Sequence, residues 1–296
     1  MSRVAIKGVF IWDGRAASRS EQPSVVRIED GRIESICPQG ESGTIDSDVE
    51  IFQYDKPVSL IPGLIDCHVH LNLDPAIFRP EQQLQVPRER VWAGLQQRAL
   101  AMVQAGITTA RDLGGGDWLE ITLRDRIAAG ELVGPRLLCV GQPVTAPRGH
   151  CHFWGGEARG RRQVRAVIER QVEHRADWIK VMATGGVFTP GTDVQKPQFD
   201  AQELEEIVCC AAEHGRSVAA HCHGAAGIQN AFASGIRTVE HCSFAGPDGF
   251  GEDFDPAVLP SMVRDAVWVS PTVNAGWKRR EEKDGQPTKF WERMTT

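Results

Sequence analysis

An α/β architecture, a TIM-like (β/α) barrel with its eighth unit missing and a β-rich segment ahead of it, is the fold class this sequence predicts, on three observations. From Leu60 onward, short apolar runs alternate with helix-length stretches, the pattern of a parallel sheet whose strands are joined by helices. Before Leu60 the runs are β-like and separated by Asp-Gly pairs, a strong hairpin signal. Length is the third: 296 residues at 41% hydrophobic content fit two average domains or one barrel with a small appendage.

The elements follow in order. Residues 4–12, 25–29 and 32–36 read as strands, with turns at Asp13-Gly14 and Asp30-Gly31. Residues 1–59 therefore form an N-terminal β segment, and 60–296 the barrel. Barrel strands are predicted over 60–66, 108–111, 136–140, 178–182, 217–220, 238–240 and 267–270. Helices are predicted over 88–104, 120–129, 161–175, 201–214 and 225–233, several stopping at glycine. Asp200 is the N-cap of the fourth helix, with Glu203 completing a capping box. A full barrel needs eight strands and about 250 residues; this one is a unit short and ends in a polar tail.

Composition excludes several classes of function. The net charge is −6, from 33 Lys and Arg against 39 Asp and Glu, with no basic stripe, so nucleic acid is not an expected partner. No apolar run has membrane-spanning length, and residues 1–12 lack the apolar core of a signal peptide. The eight cysteines show no paired-finger spacing and sit mostly in apolar segments, which predicts a reduced, cytoplasmic protein with buried thiols. Cys67, Cys222 and Cys242 adjoin histidines, but neighbours on a strand face opposite ways, so they are not read as ligands.

The chemistry concentrates at strand ends. Residues 62–70, Pro-Gly-Leu-Ile-Asp-Cys-His-Val-His, are an apolar strand ending in His68 and His70. Two residues apart on a strand, both imidazoles share a face and can reach one metal ion. Lys180 lies inside the apolar run 177–182, where an unpaired ammonium is costly to bury. A desolvated lysine favours its neutral amine, which can add CO2 to become an anionic carbamate ligand; pairing with a nearby carboxylate is the other reading. His221 and His223 follow one strand and His241 the next. Histidines at the carboxyl ends of the first, fifth and sixth strands, on the rim where barrels keep active sites, together predict a metal site.

These segments, with Gly-Ile-Thr-Thr-Ala-Arg-Asp-Leu-Gly at 106–114, Arg-Gly-His-Cys-His-Phe-Trp-Gly-Gly-Glu at 148–157, Ala-Asp-Trp-Ile-Lys-Val-Met-Ala-Thr-Gly-Gly at 176–186, Ala-His-Cys-His-Gly at 220–224 and Val-Glu-His at 239–241, resemble the amidohydrolase superfamily. Their order resembles its imidazolonepropionase-like and prolidase-like (Xaa-Pro and Xaa-Arg dipeptidase) branch. The resemblance implies that His68 and His70 bind one metal, that carboxylated Lys180 bridges two, and that His221 and His241 bind the second. It also implies that residues 1–59 are part of a small β-sandwich, that His150 and His152 sit on a loop where the family places substrate contacts, two solvent-exposed loop histidines being the other reading, and that His223 faces the substrate or a partner of a ligand. The cofactors implied are two divalent ions, zinc preferred, with N-carboxylated Lys180. The activity implied is hydrolysis of an amide-like or cyclic amide C–N bond through a metal-bound hydroxide at a binuclear site.

One departure stands beside the match. The resemblance assigns proton transfer to an eighth-strand aspartate, which this sequence does not supply; Asp284, in a charged stretch, is not a substitute, so the catalytic residue is unknown. A truncated chain follows, and with it an alternative function, an inactive metal-binding or interaction module. An open barrel exposes strand edges, which predicts aggregation or pairing with a complementary piece; a homo-oligomer is the expected assembly. The expected substrate is a small-molecule amide, a dipeptide or a urea- or carbamate-like compound. Arg111 or Arg148 could anchor a dipeptide carboxylate. Cys151 between His150 and His152 offers a cysteine-nucleophile alternative.

Overall fold

Asp30 and Gly31 both adopt positive φ, 47° and 74°, which a two-residue hairpin turn demands and which Gly meets without Cβ strain. That turn joins β2 (Ser24–Glu29) to β3 (Arg32–Pro38), and β2 pairs antiparallel with β1 (Arg3–Ile11). A fourth strand, β4 (Glu50–Leu60), lies parallel to β1 and completes a sheet of order β3-β2-β1-β4. The sequence reading misses β4, where Asp55, Lys56 and Pro57 interrupt the apolar residues, and starts a barrel strand at Leu60, because Pro62-Gly63 sits unmarked inside a continuous apolar stretch. The computed structural model describes residues 2–15, 19–77, 79–247 and 249–272, and the chain divides into two units, Met1–Leu64 and Ile65–Thr296.

The second unit is α/β. Its strands are β5 (Leu64–Val69), β6 (Ile107–Asp112), β7 (Arg136–Cys139), β8 (Ile179–Met182), β9 (Val218–Cys222), β10 (Thr238–His241) and β11 (Trp268–Ser270). They form one sheet of order β5-β6-β7 and one of order β11-β10-β9-β8, the second parallel throughout. A parallel bridge between Val144 and Val181 links the segment after β7 to β8. Among the described residues these are two sheets, and no closed barrel is formed.

The helices are α1 (Pro80–Gln83), α2 (Arg88–Gln104), α3 (Leu119–Ala128), α4 (Gly160–Glu173), α5 (Ala201–Glu213), α6 (Ala225–Ala233) and α7 (Leu259–Arg264). Short α1 and α7 escape the periodicity argument, having too few turns to show one. At α5 the Asp200 carboxylate accepts from the Glu203 N–H at 2.8 Å while Glu203 accepts from the Asp200 N–H at 3.1 Å, the reciprocal cap the sequence predicts. Helices α4, α5 and α6 each bury one stripe, Val164, Val167 and Ile168, then Leu204, Ile207 and Ala211, then Ile228, Ala231 and Phe232. These pack with Ile179, Val181, Val218 and Val239 in one core. Each fully buried aliphatic side chain contributes roughly 1.5–3 kcal/mol, enough to fix where the strands end. No helix among the described residues is long and apolar enough to cross a membrane.

Candidate metal centre

The strand ends of the second unit bring six histidines and one lysine together. His68 is on β5 and His70 follows it, their ring centroids 5.2 Å apart. His241 closes β10 and approaches His68 at 4.8 Å and His221 at 4.7 Å. His221 is inside β9, which runs to Cys222, two residues past the predicted strand end at Ala220. His223 lies 4.6 Å from His221 and 4.7 Å from His241, and His150 lies 4.5 Å from His221. One donor nitrogen from each of His221, His223 and His241 falls within 4.8 Å of the others.

Most of these rings are held by their Nδ1 atoms, which leaves Nε2 facing inward. His68 Nδ1–H donates to Glu240 Oε2 at 2.9 Å, and His70 Nδ1–H to the Gly114 carbonyl at 2.8 Å. His223 Nδ1 bonds Ser243 Oγ and His241 Nδ1 bonds Thr272 Oγ1, both at 2.7 Å. His221 is turned the other way: its Nε2–H donates to the Gly185 carbonyl at 3.0 Å, putting the lone pair on Nδ1. The chain after β10 accepts backbone strain to present these rings, with His241 at φ 66° and Cys242 at φ 49°.

Burial sets the charge state of the cluster. It lowers the His70 and His223 pKa values to about 4 and that of His150 to about 3, and holds His68, His221 and His241 well below the ordinary imidazole range. Lys180 and the neighbouring imidazoles push in the same direction. Neutral imidazole is the form that binds metal. Lys180, 1% exposed, has a pKa lowered to about 8, chiefly by burial, and its Nζ has no hydrogen-bond partner. A buried, orphaned amine among neutral imidazoles is a donor set that fits a cation-binding centre, and neutral amine is the reactive partner for CO2.

Other sequence-predicted residues lie elsewhere. His152 stays outside the ring cluster, its Nδ1 on the Gly149 carbonyl at 3.0 Å and its ring beside Phe153. Arg111 corrects the anchor reading. Its guanidinium, 7% exposed, donates to Glu240 Oε1 at 2.7 Å, Thr238 Oγ1 at 3.1 Å and the Cys67 carbonyl at 2.9 Å, which leaves little for a substrate carboxylate. Cys151 is buried and its thiol is pushed up to about 12, the opposite of an activated nucleophile. Asp284 lies outside the described residues.

The residue that sequence reasoning missed is Glu240. Fully buried, it takes the His68 proton on one oxygen and Arg111 on the other. A carboxylate behind a histidine fixes tautomer and ring direction. The signal was present: an arginine in 107–112 and a glutamate in 238–241, each inside an apolar strand, raise the question asked of Lys180, what compensates the charge.

The fold, the imidazole cluster and the buried, unpartnered lysine define a class of metal-dependent protein, and comparison with known proteins places the chain within it. The amidohydrolase family model matches residues 59–284, and the chain belongs to that family. It is 31% identical over 212 residues to the ochratoxinase of Aspergillus niger, a match covering 63% of this chain and 44% of that protein. The chain thus spans less than half the length of this curated relative. A solved Xaa-Pro dipeptidase with methionine in its active site superposes with a TM-score of 0.80 at 27% identity, over 95% of this chain and 69% of that one. The A. niger ochratoxinase structure gives 0.75 at 24% identity, over 96% and 68%, a likeness of fold.

Proposed function

We propose that this chain is the catalytic part of a metal-dependent hydrolase acting on an amide-like C–N bond, with a binuclear centre at the histidine cluster. The observation that carries the reading is Lys180, a buried amine without a partner, centred among imidazoles that burial keeps neutral. His68 and His70 would hold one ion and His221 and His241 the other, with Lys180 between them. To serve there, the Lys180 amine adds to CO2; the N–C bond forms, one proton passes to solvent, and the carbamate supplies two oxygens. Zinc suits this mixture of imidazole and oxygen donors. Held by these residues, two such ions would supply polarisation of an amide carbonyl and a water of lowered pKa.

The chain's own residues hold this arrangement. Glu240 sets the His68 ring and Arg111 holds Glu240, while the Gly114 carbonyl sets His70. His150, buried with Nδ1 unpartnered, and His223 line the same space and would orient the substrate. Relatives that include a dipeptidase and an ochratoxinase support a small amide or dipeptide substrate.

Elemental analysis of the purified 296-residue chain, alongside hydrolysis of a panel of N-acyl amino acids, tests the proposal. Close to two equivalents of metal with turnover abolished by chelation is the expected result. Metal without turnover favours the alternative of a metal-binding module, and a chain that binds no metal overturns the centre itself.

A further inference from the structure

Asp112 closes β6 with no exposed surface, and both of its carboxylate oxygens are taken up by backbone. Oδ2 accepts from the Leu71 N–H at 2.8 Å and Oδ1 from the Gly114 N–H at 2.9 Å. Those two residues bracket His70. Leu71 follows it in the chain, and the Gly114 carbonyl accepts from its Nδ1–H at 2.8 Å. A further bond, from the Leu113 N–H to the Val69 carbonyl at 2.8 Å, holds the residue before it. His70 is therefore fastened to residues 112–114 on both sides of its backbone and at its ring. Arg98 backs the arrangement: its Nε–H donates to the Leu71 carbonyl at 2.7 Å, and its charge acts on Asp112. Hydrogen bonds to an ionised carboxylate are roughly twice as strong as neutral ones.

The direction of the Gly114 carbonyl is set from both ends. Ahead of it the Gly114 N–H is held by Asp112, and beyond it the Gly115 N–H donates to the Gly141 carbonyl at 3.1 Å. The N–H and C=O of one trans peptide point opposite ways. A Gly115 N–H aimed at Gly141 thus turns the Gly114 carbonyl back toward the imidazole. Gly114 stands at φ 110°, and a Cβ there would come within 2.5 Å of the Gly141 oxygen, so only glycine fits between the two holds.

We propose that Asp112 is a positioning residue of the metal centre: by holding Leu71 and Gly114 it keeps His70 as the Nδ1–H tautomer, with Nε2 free for the cation. The word metal rests on the function proposed above; the hold on the ring does not. Glu240 sets His68 by touching its ring, whereas Asp112 stands one peptide back and acts through a carbonyl. Outer partners of this kind are worth about 10- to 100-fold in metal affinity. Removing Asp112 takes that factor from the ion that His68 and His70 hold and leaves the other ion alone.

Asp112→Asn keeps the shape but turns an NH2 on Leu71 or Gly114, donor against donor, so one tie is lost. Zinc titration of the full chain against a chromophoric chelator should show one equivalent weakened about tenfold or more and the other as in the parent. Asp177→Asn is the control. It alters another strand-end carboxylate, one that accepts from the Cys139 N–H at 2.8 Å and from Arg124 at 2.6 Å, and should leave both zinc affinities unchanged. Proton–nitrogen correlation spectra of the chelated chain read the His70 tautomer directly: Nδ1–H in the parent, a mixture with Nε2–H in Asp112→Asn. Parent-like zinc affinity in folded Asp112→Asn overturns the proposal, and so does equal weakening by Asp177→Asn. A parent chain whose His70 carries its proton on Nε2 overturns it as well, whether or not the variant folds. A parent that takes up no zinc sinks the metal centre and leaves the tautomer test in force; a zinc-loaded parent with an indifferent variant does the reverse.

Discussion

Replacing Arg111 by Met removes the guanidinium and keeps most of the stem. Glu240, with no exposed surface, then keeps the His68 N–H and the Thr238 hydroxyl, the latter at 2.7 Å, as hydrogen-bond donors and Lys180 as the nearby amine, but loses its ion-pair partner. Removing one partner of a buried ion pair costs about 3–5 kcal/mol, because the other charge is left without compensation. In a unit of this size each kcal/mol is worth about 2–4 °C, so Tm should fall by roughly 6–20 °C. Circular dichroism melts at pH 7.5 measure it. The double variant Arg111→Met with Glu240→Gln removes both charges of the pair and should melt above the single variant. A fall of less than about 3 °C, well under the range just derived, or a double variant less stable than Arg111→Met alone, would refute the argument.

Lys180→Ala should lower bound metal below that of the parent chain, with partial recovery on adding a short-chain carboxylate; elemental analysis showing full occupancy in the variant would defeat the carbamate. Glu120→Gln should change the pH dependence of stability. The native carboxyl titrates at about 8 against an ordinary 4.5, so between those values the folded state holds a proton that the unfolded state has released, and stability falls as pH rises through the window. Denaturant titrations at pH 5 and 8 should show that fall in the parent and a flatter profile in the variant. His174 and His214 cap the ends of α4 and α5, with His174 stacked on Trp118 at 3.7 Å, so His174→Gln and His214→Gln should leave metal content and turnover unchanged.

Much of the second unit was legible because its signals are local. The reading of 88–104 as a helix coincides with α2, and that of 225–233 with α6, since each carries an apolar stripe and a clean stop. His68 and His70 could be paired from the strand period alone. What sequence hid was long-range or reversed. β4 was lost because Asp55, Lys56 and Pro57 interrupt its apolar residues and leave no clean alternation. Arg111 looked available because nothing local says that Glu240, 129 residues away, faces it. His150 and His152 looked equivalent, yet the turn through Cys151, at φ 55°, sends one ring toward His221 and the other toward Phe153.

The tie from Arg111 through Glu240 to His68 uses only the protein's own groups, and joins the carbonyl of Cys67 on β5 to Thr238 and Glu240 on β10. A cage fastened this way is assembled before any cation enters it. Chelation should therefore yield a folded apoprotein, ready to be reloaded, and swapping one divalent ion for another should change reactivity while leaving the scaffold standing.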